Sequence, residues 1–123
     1  MRTFKGVDPL FDQYLELYEI LKGSRMGDIG IGFKKQNLPV IGRCTFYIGG
    51  YKEISVDPEY WSLANDMQRT SLLFHELGHC DLGRMHESGD LSDGTKKSIM
   101  NYYLIGWDSK EMEDYYFWEL FNK

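Results

Sequence analysis

Residues 75–86 read HELGHCDLGRMH, and this stretch decides how the rest of the chain is interpreted. It contains all three histidines of the protein, His75, His79 and His86, and Glu76 directly follows the first of them. Residues four apart on an α-helix are neighbours, so His75 and His79 can direct both imidazoles at one point. Glu76 lies about 100° around the helical wheel from His75, which places its carboxylate beside that point. The spacing predicts a helix that carries two metal ligands and an acid–base group.

The H-E-x-x-H pattern of residues 75–79 matches a zinc signature with a defined mechanism. Zinc lowers the pKa of a coordinated water to about 7, and Glu76 can take up the proton before the water's oxygen attacks a carbonyl. These residues therefore predict a Zn²⁺ cofactor and hydrolysis of the peptide bonds of a peptide or protein substrate. A chance match on a helix with solvated histidines is the alternative.

A catalytic zinc ion keeps three protein ligands and one open position. His86 is the expected third ligand, but on a straight helix it would lie ~10 Å from His79 along the axis. The chain must therefore turn between them, and Gly83 suits a left-handed residue just past a helix end.

Acidic residues are the competing third ligands. Glu111 and Glu113 lie on the expected C-terminal helix, and either could supply a carboxylate oxygen to the metal. Asp81 lies ~120° around the wheel from His75, away from the metal face. We interpret Asp81 and Glu87 as solvated charges.

The remaining segments predict a single α+β domain over residues 1–123. Asp8 and Pro9 begin an N-terminal helix whose apolar face we expect to contain Leu10, Tyr14, Leu17, Tyr18 and Leu21, and Gly23 ends it. Residues 28–33, 40–48 and 51–57 predict three strands, the last two joined at Gly49-Gly50 as an antiparallel hairpin. A long helix, with Leu73, Leu77 and Cys80 behind the histidines, a polar surface loop at 87–97 and a final helix follow. We expect the final helix to be capped from Asp108 and to cover the core with Met112, Tyr115, Tyr116, Phe117, Leu120 and Phe121.

The sequence resembles the metzincin clan of zinc endopeptidases. That clan has H-E-x-x-H-x-x-G-x-x-H followed by a methionine-containing turn, and this chain has His75 to His86 and then Ser98-Ile99-Met100-Asn101-Tyr102. The resemblance implies a domain of N-terminal helix, small twisted sheet, zinc helix, Met-turn and C-terminal helix. It also implies that Met100 packs beneath the histidines without binding the metal. A glutamate third ligand would instead resemble the gluzincin clan.

One departure from the clan is specific. Gly83 follows His79 by four residues instead of three, which would rotate the helix exit by about 100° and advance it by ~1.5 Å. A wider helical turn or a longer, differently shaped turn could absorb the extra residue. The pattern HELGHCxLxRxH followed by SIMN also resembles a group of small bacterial proteins regarded as metallopeptidases, which would then share this longer spacing.

The resemblance further implies roles in substrate binding and catalysis. Tyr102 matches a tyrosine that in some metzincins binds the zinc or stabilises the oxyanion, and Tyr103 is the adjacent alternative. An edge strand of the hairpin 40–56 would pair with an extended peptide; the sequence leaves open which strand that is. A non-catalytic zinc-binding or interaction protein with the same residues is the principal functional alternative.

Composition excludes several other classes. A net charge of −5 and a pI near 5.1 argue against nucleic acid as a partner. No apolar run approaches the ~20 residues that span a bilayer, and we expect a monomer. The N-terminus lacks the apolar core of a signal peptide, which leaves the compartment open between the cytoplasm and, after removal of a leader, an extracytoplasmic site. Cys44 and Cys80 are compatible with one disulfide or with two buried thiols.

Overall fold

The computed structural model describes residues 4–123, so the first three residues of the predicted domain 1–123 lie outside the described part. Within it, the described residues form an α+β domain of four α-helices and one three-stranded sheet, which confirms the predicted class and the order of its elements. A 3-10 turn (Pro9–Phe11) leads into α1 (Asp12–Lys22), and the strands β1 (Ile29–Phe33), β2 (Gly42–Phe46) and β3 (Lys52–Val56) follow. The chain continues through α2 (Pro58–Leu63), α3 (Asp66–Cys80) and α4 (Lys110–Asn122).

The sheet is mixed, with the strand order β1-β3-β2. β2 and β3 pair antiparallel, which confirms the predicted hairpin, and its turn contains Gly49 and Gly50 at φ +98° and +94°. β1 pairs parallel with β3 on the other side. β2 is therefore an edge strand, and it packs against α3 together with β3.

The apolar face predicted for the first helix is partly wrong. Asp8 does cap the start, accepting a hydrogen bond from the Leu10 amide, and Gly23 ends α1 in a left-handed conformation. Of the predicted residues, Tyr14 and Tyr18 are buried, whereas the other completely buried side chains are Phe11 and Leu15. Leu10 is 62% exposed, and Leu17 and Leu21 are each 37% exposed. Apolar residues occur on most sides of this helix, so packing against α3 and α4 selects the buried side.

The long helix α3 begins at a capping box, in which the Asn65 side chain accepts from the Gln68 amide and the Gln68 side chain accepts from the Asn65 amide. Its back is in the centre of the core, as predicted, because Leu73, Leu77 and Cys80 are completely buried. Packing of this face of α3 in the core therefore fixes the direction in which the opposite face, with the histidines, points.

The cap predicted for the last helix is displaced by one residue. Ser109, and not Asp108, is the N-cap of α4, and its hydroxyl accepts from the Met112 amide. The core-covering role of the helix is confirmed, with Tyr116, Phe117 and Leu120 buried and Met112, Tyr115 and Phe121 packed against the core.

The two cysteines form a disulfide between Cys44 of β2 and Cys80 at the end of α3. It joins the edge strand to the helix that carries His75 and His79. Of the alternatives that the sequence left open, the structure therefore selects the bridge. Residues 4–123 contain no helix that is long and apolar enough to cross a membrane.

Candidate metal centre

The structure brings His75, His79 and His86 together. Each contributes one ring nitrogen to a group whose nitrogens all lie within 4.8 Å of one another. The ring centroids are separated by 4.8 Å (His75 to His79), 5.2 Å (His75 to His86) and 4.8 Å (His79 to His86). The three side chains are therefore close enough to bind one metal ion.

The segment between His79 and His86 accommodates its extra residue in a wide turn at the end of α3. The Leu82 amide donates to the Leu77 carbonyl at 3.2 Å, five residues back, and the Arg84 amide donates to the Gly78 carbonyl at 2.8 Å, six residues back. Gly83 has φ +68°, in the left-handed region that favours glycine. The predicted turn at Gly83 is therefore present, and a widened helix end absorbs the longer spacing.

Two histidines are held by main-chain carbonyls. The Nδ1 of His75 lies 2.7 Å from the Ile99 oxygen, and the Nδ1 of His79 lies 2.7 Å from the Arg84 oxygen. Because a carbonyl oxygen can only accept, each Nδ1 must carry the proton. In the neutral rings this leaves the Nε2 lone pairs available to a metal, an arrangement common among metal-binding histidines.

The surroundings of His75 and His86 favour neutral imidazoles. Burial lowers the pKa of His75 from 6.5 to about 4, with smaller contributions from His79 and His86 in the same direction and from the Ile99 carbonyl in the opposite one. Burial and His79 also lower the pKa of His86. Since only the neutral ring can bind a metal through its lone pair, the centre suits a cation at neutral pH.

Glu76 lies beside the histidines and is only 6% exposed. Burial raises the pKa of its carboxyl from 4.5 to about 7, while Arg43 and a hydrogen bond from the Cys44 amide act against this shift. A pKa close to neutral is what a group needs to take up and return a proton at physiological pH.

An open cleft of about 430 Å³ gives access to these residues. Its walls comprise β2 with the residues before it (39–44), Leu72, Glu76 and the three histidines, and residues 102–104. Tyr102 packs edge-on against His86 with ring centroids 5.2 Å apart, and Tyr103 packs against Tyr102 at 5.0 Å. Both rings are on the rim, 63% and 74% exposed, respectively.

Backbone groups of β2 face this cleft. The Asp57 amide donates to Ile41 and the Tyr47 amide donates to Tyr51, so the odd-numbered residues of β2 direct their backbone groups towards β3. Hydrogen-bonded and non-hydrogen-bonded residue pairs alternate along an antiparallel ladder. The N–H and C=O groups of the even-numbered residues Gly42 and Cys44 therefore point away from β3.

Met100 is completely buried under the histidine-bearing helix. A Cβ placed on Gly78 would overlap the sulfur and methyl group of Met100. Gly78 therefore lets Met100 approach the α3 backbone between His75 and His79, a role that its position within H-E-L-G-H did not reveal. Gly42 acts similarly on the other side, since its Cβ would lie 2.8 Å from Leu72 Cδ1.

Asp81 and Glu87 form ion pairs with lysine and arginine side chains. The interpretation of Asp81 as a solvated charge is therefore wrong. Its side chain is 5% exposed and pairs with Lys22 at 2.8 Å. Burial favours a higher pKa for Asp81, but hydrogen bonds from Lys22, Gly27 and Tyr18 outweigh it, and the pKa is lowered.

Glu87 is also more confined than predicted. Its carboxylate is 25% exposed and lies near Arg84, Lys97 and Lys123. Glu113 accepts a hydrogen bond from the Trp107 indole at 3.1 Å. Among residues 4–123, the group of side chains brought together as possible metal ligands includes neither Glu111 nor Glu113.

Comparison with known proteins adds no further assignment. A scan of protein-family models, a search of curated proteins and a search of solved structures each found no match to this chain.

Proposed function

We propose that the protein is a zinc-dependent metallopeptidase. The observation that carries the proposal is the arrangement of three histidine nitrogens around one point, with the buried carboxylate of Glu76 beside them in an open cleft. Three imidazole donors with a remaining open position are the ligand set of many catalytic zinc sites.

The metal and Glu76 divide the chemistry. When bound, zinc polarises the substrate carbonyl and makes a water acidic enough to lose a proton near neutral pH. Glu76 accepts that proton and returns it to the leaving amine nitrogen, acting first as base and then as acid. The Cys44 amide holds the Glu76 carboxylate in place for both steps.

Two features of the cleft support a peptide as the substrate. The outward-facing backbone groups of β2 that do not bind Glu76, which are the N–H and C=O of Gly42 and the C=O of Cys44, can form main-chain hydrogen bonds with an extended chain, with little demand on its sequence. Tyr102 lies on the rim beside His86, where its hydroxyl can donate to the oxyanion that develops on the carbonyl.

We further propose a metzincin-like architecture. Three features support it: the turn at Gly83, the placement of His86 beside His75 and His79, and the burial of Met100 against α3. The gluzincin-like alternative, with Glu111 or Glu113 as third ligand, would leave His86 without a role.

Zinc content and peptide cleavage of the wild type and Glu76→Gln test the function together. Glutamine has the shape of glutamate but cannot accept the proton. We expect one zinc per chain in both proteins, and cleavage of a broad peptide library reduced by about 10²–10⁴-fold in the variant. Full zinc occupancy without cleavage by the wild type would contradict the enzyme and favour a non-catalytic zinc-binding protein.

A further inference from the structure

A buried ion pair links the turn that follows α3 with the C-terminal helix. Arg84 Nη2 donates to Glu119 Oε2 at 2.9 Å, and the two side chains are 12% and 4% exposed. Arg84 Nη1 also reaches the main-chain oxygens of Glu119 and Leu120, each at 3.2 Å. Burying two charges costs free energy that their mutual attraction only partly offsets, so the pair is not explained by stability alone.

The backbone of Arg84 holds one of the histidines. Its amide donates to Gly78 at the end of α3, and its carbonyl accepts the Nδ1 proton of His79 at 2.7 Å. The residue whose guanidinium is anchored by Glu119 therefore also supplies the atom that orients His79. A shift of Arg84 would move that acceptor.

Glu119 is connected to a second histidine through the segment that contains Met100. Ser98 Oγ donates to Glu119 Oε1 at 2.6 Å and accepts from the Met100 amide at 2.9 Å. These two contacts fix both sides of Ile99, whose carbonyl accepts the Nδ1 proton of His75. One carboxylate thus supports the acceptors of both His75 and His79.

The third histidine lies between residues of the same network. His86 is followed by Glu87, whose amide donates to the Met100 carbonyl at 2.7 Å and whose carboxylate accepts from Arg84 at 3.1 Å. The backbone directly after His86 is therefore attached to the groups that orient the other two rings.

We propose that the Arg84–Glu119 pair is a positioning unit that sets the metal affinity of the centre by holding the three histidines in one arrangement. The inference rests on the proposed metal site and does not depend on the proposed hydrolysis. Loss of a partner that orients a metal ligand typically weakens metal affinity by about 10–100-fold, and we expect an effect of this size here.

The test is zinc affinity, measured by competition with a chromophoric chelator, together with the visible spectrum of the cobalt-loaded protein. We expect Glu119→Gln and Arg84→Met to weaken zinc binding by about 10–100-fold and to alter the cobalt spectrum. Arg84→Lys keeps the charge but loses the planar fork and should not restore wild-type affinity. The effects of the two substitutions should not add, because each disrupts the same unit. The zinc affinity of the double variant Arg84→Met/Glu119→Gln should therefore lie within a few-fold of that of either single variant.

Two controls separate positioning from general loss of stability. Leu15→Ala removes a completely buried side chain of α1 that takes no part in the hydrogen bonds of this network, and it should leave the affinity within about two-fold of wild type. Asp114→Asn removes an exposed carboxylate of the same helix α4 that pairs with Lys110 and not with Arg84, and it should leave the affinity within about two-fold of wild type.

The outcomes are distinct from those of the cleavage test. Unchanged zinc affinity and cobalt spectrum in Glu119→Gln would overturn the positioning role, even if the wild type cleaves peptides. An equal loss in Leu15→Ala would also overturn it. If Arg84→Met fails to fold, Glu119→Gln decides the question, and a wild type that binds no zinc would overturn this inference together with the proposed function.

Discussion

The two sides of the candidate metal centre are built differently. On the buried side, His75 and Glu76 are 7% and 6% exposed, and Met100 beneath them is completely buried. On the rim, Tyr102 and Tyr103 are more than half exposed, and His86 lies against Tyr102. The side chains of the buried side are surrounded by protein, whereas those of the rim are largely in contact with solvent.

Because of this difference, substitutions on the two sides should have different effects on stability and on the site. Changes on the buried side should alter stability first and the metal site as a consequence. Changes on the rim should leave the fold intact, so that any loss there reports on metal or substrate directly.

Loss of the disulfide should have the largest effect. The bond between Cys44 and Cys80 closes a sequence separation of 36 residues and ties β2 to α3 on the buried side. The chain-entropy relation gives about 3–4 kcal/mol for a loop of this length. The double variant Cys44→Ala/Cys80→Ala should therefore unfold at a clearly lower urea concentration. An unchanged midpoint would show that packing alone holds the edge strand against the helix.

Gly78→Ala should destabilise the protein by about 1–3 kcal/mol, the usual cost of overpacking a core. The added methyl group would overlap Met100, so either Met100 or α3 must move. The matched control is Gly32→Ala on β1, where an added Cβ has no neighbour within 4 Å and the expected change is within about 0.5 kcal/mol. Equal effects of the two substitutions in urea unfolding would argue against close packing under the histidines.

The metal-free protein should show two opposite pH dependences on its buried side. Burial lowers the pKa of His75 to about 4 from 6.5, so the unfolded chain binds more protons and stability is lost as the pH falls below about 6.5. Burial raises the pKa of Glu76 to about 7 from 4.5, so the folded chain binds more protons and stability is lost as the pH rises from about 4.5 to about 7.

Variants separate these contributions. With chelator present, Glu76→Gln should lose stability as the pH falls from 6.5 to 5, because the lowered pKa values of His75 and His86 then act without opposition. The double variant His75→Gln/His86→Gln keeps Glu76 and should gain stability over the same interval. Each titrating group contributes at most about 1.4 kcal/mol per pH unit to a slope. Urea midpoints measured at both pH values give the signs, and slopes of the same sign in the two variants would contradict the assigned burial of these groups.

Tyr102→Phe should have the smallest effect on stability, within about 0.5 kcal/mol, because the residue is exposed on the rim. If its hydroxyl donates to the oxyanion, peptide cleavage should nevertheless fall by about 10²–10³-fold with zinc affinity unchanged. Tyr103→Phe removes the same group one residue away and should retain cleavage. Equal activity of both variants and the wild type would exclude this role for Tyr102.

Local spacing made much of the site predictable. The placement of His75 and His79 on one face and of Leu73 and Leu77 behind them follows from helical geometry alone. The turn at Gly83 and the hairpin at Gly49-Gly50 follow from the conformational freedom of glycine. These features depend on residues within a few positions of each other.

Features that depend on distant residues were not predictable. Arg84 and Glu119 are 35 residues apart, and no periodicity connects them. The need for glycine at position 78 becomes visible only once Met100 packs against it. Likewise, the buried side of α1 depends on its neighbours, because the helix itself offers apolar residues in several directions.

The most direct test of the proposed metal centre is a crystal structure of the zinc-loaded protein with anomalous data collected at the zinc edge. We predict one strong anomalous peak per chain, bound at about 2.0–2.1 Å by the Nε2 atoms of His75, His79 and His86. A peak coordinated by Glu111 or Glu113 in place of His86, or no peak at the three histidines, would contradict the proposal.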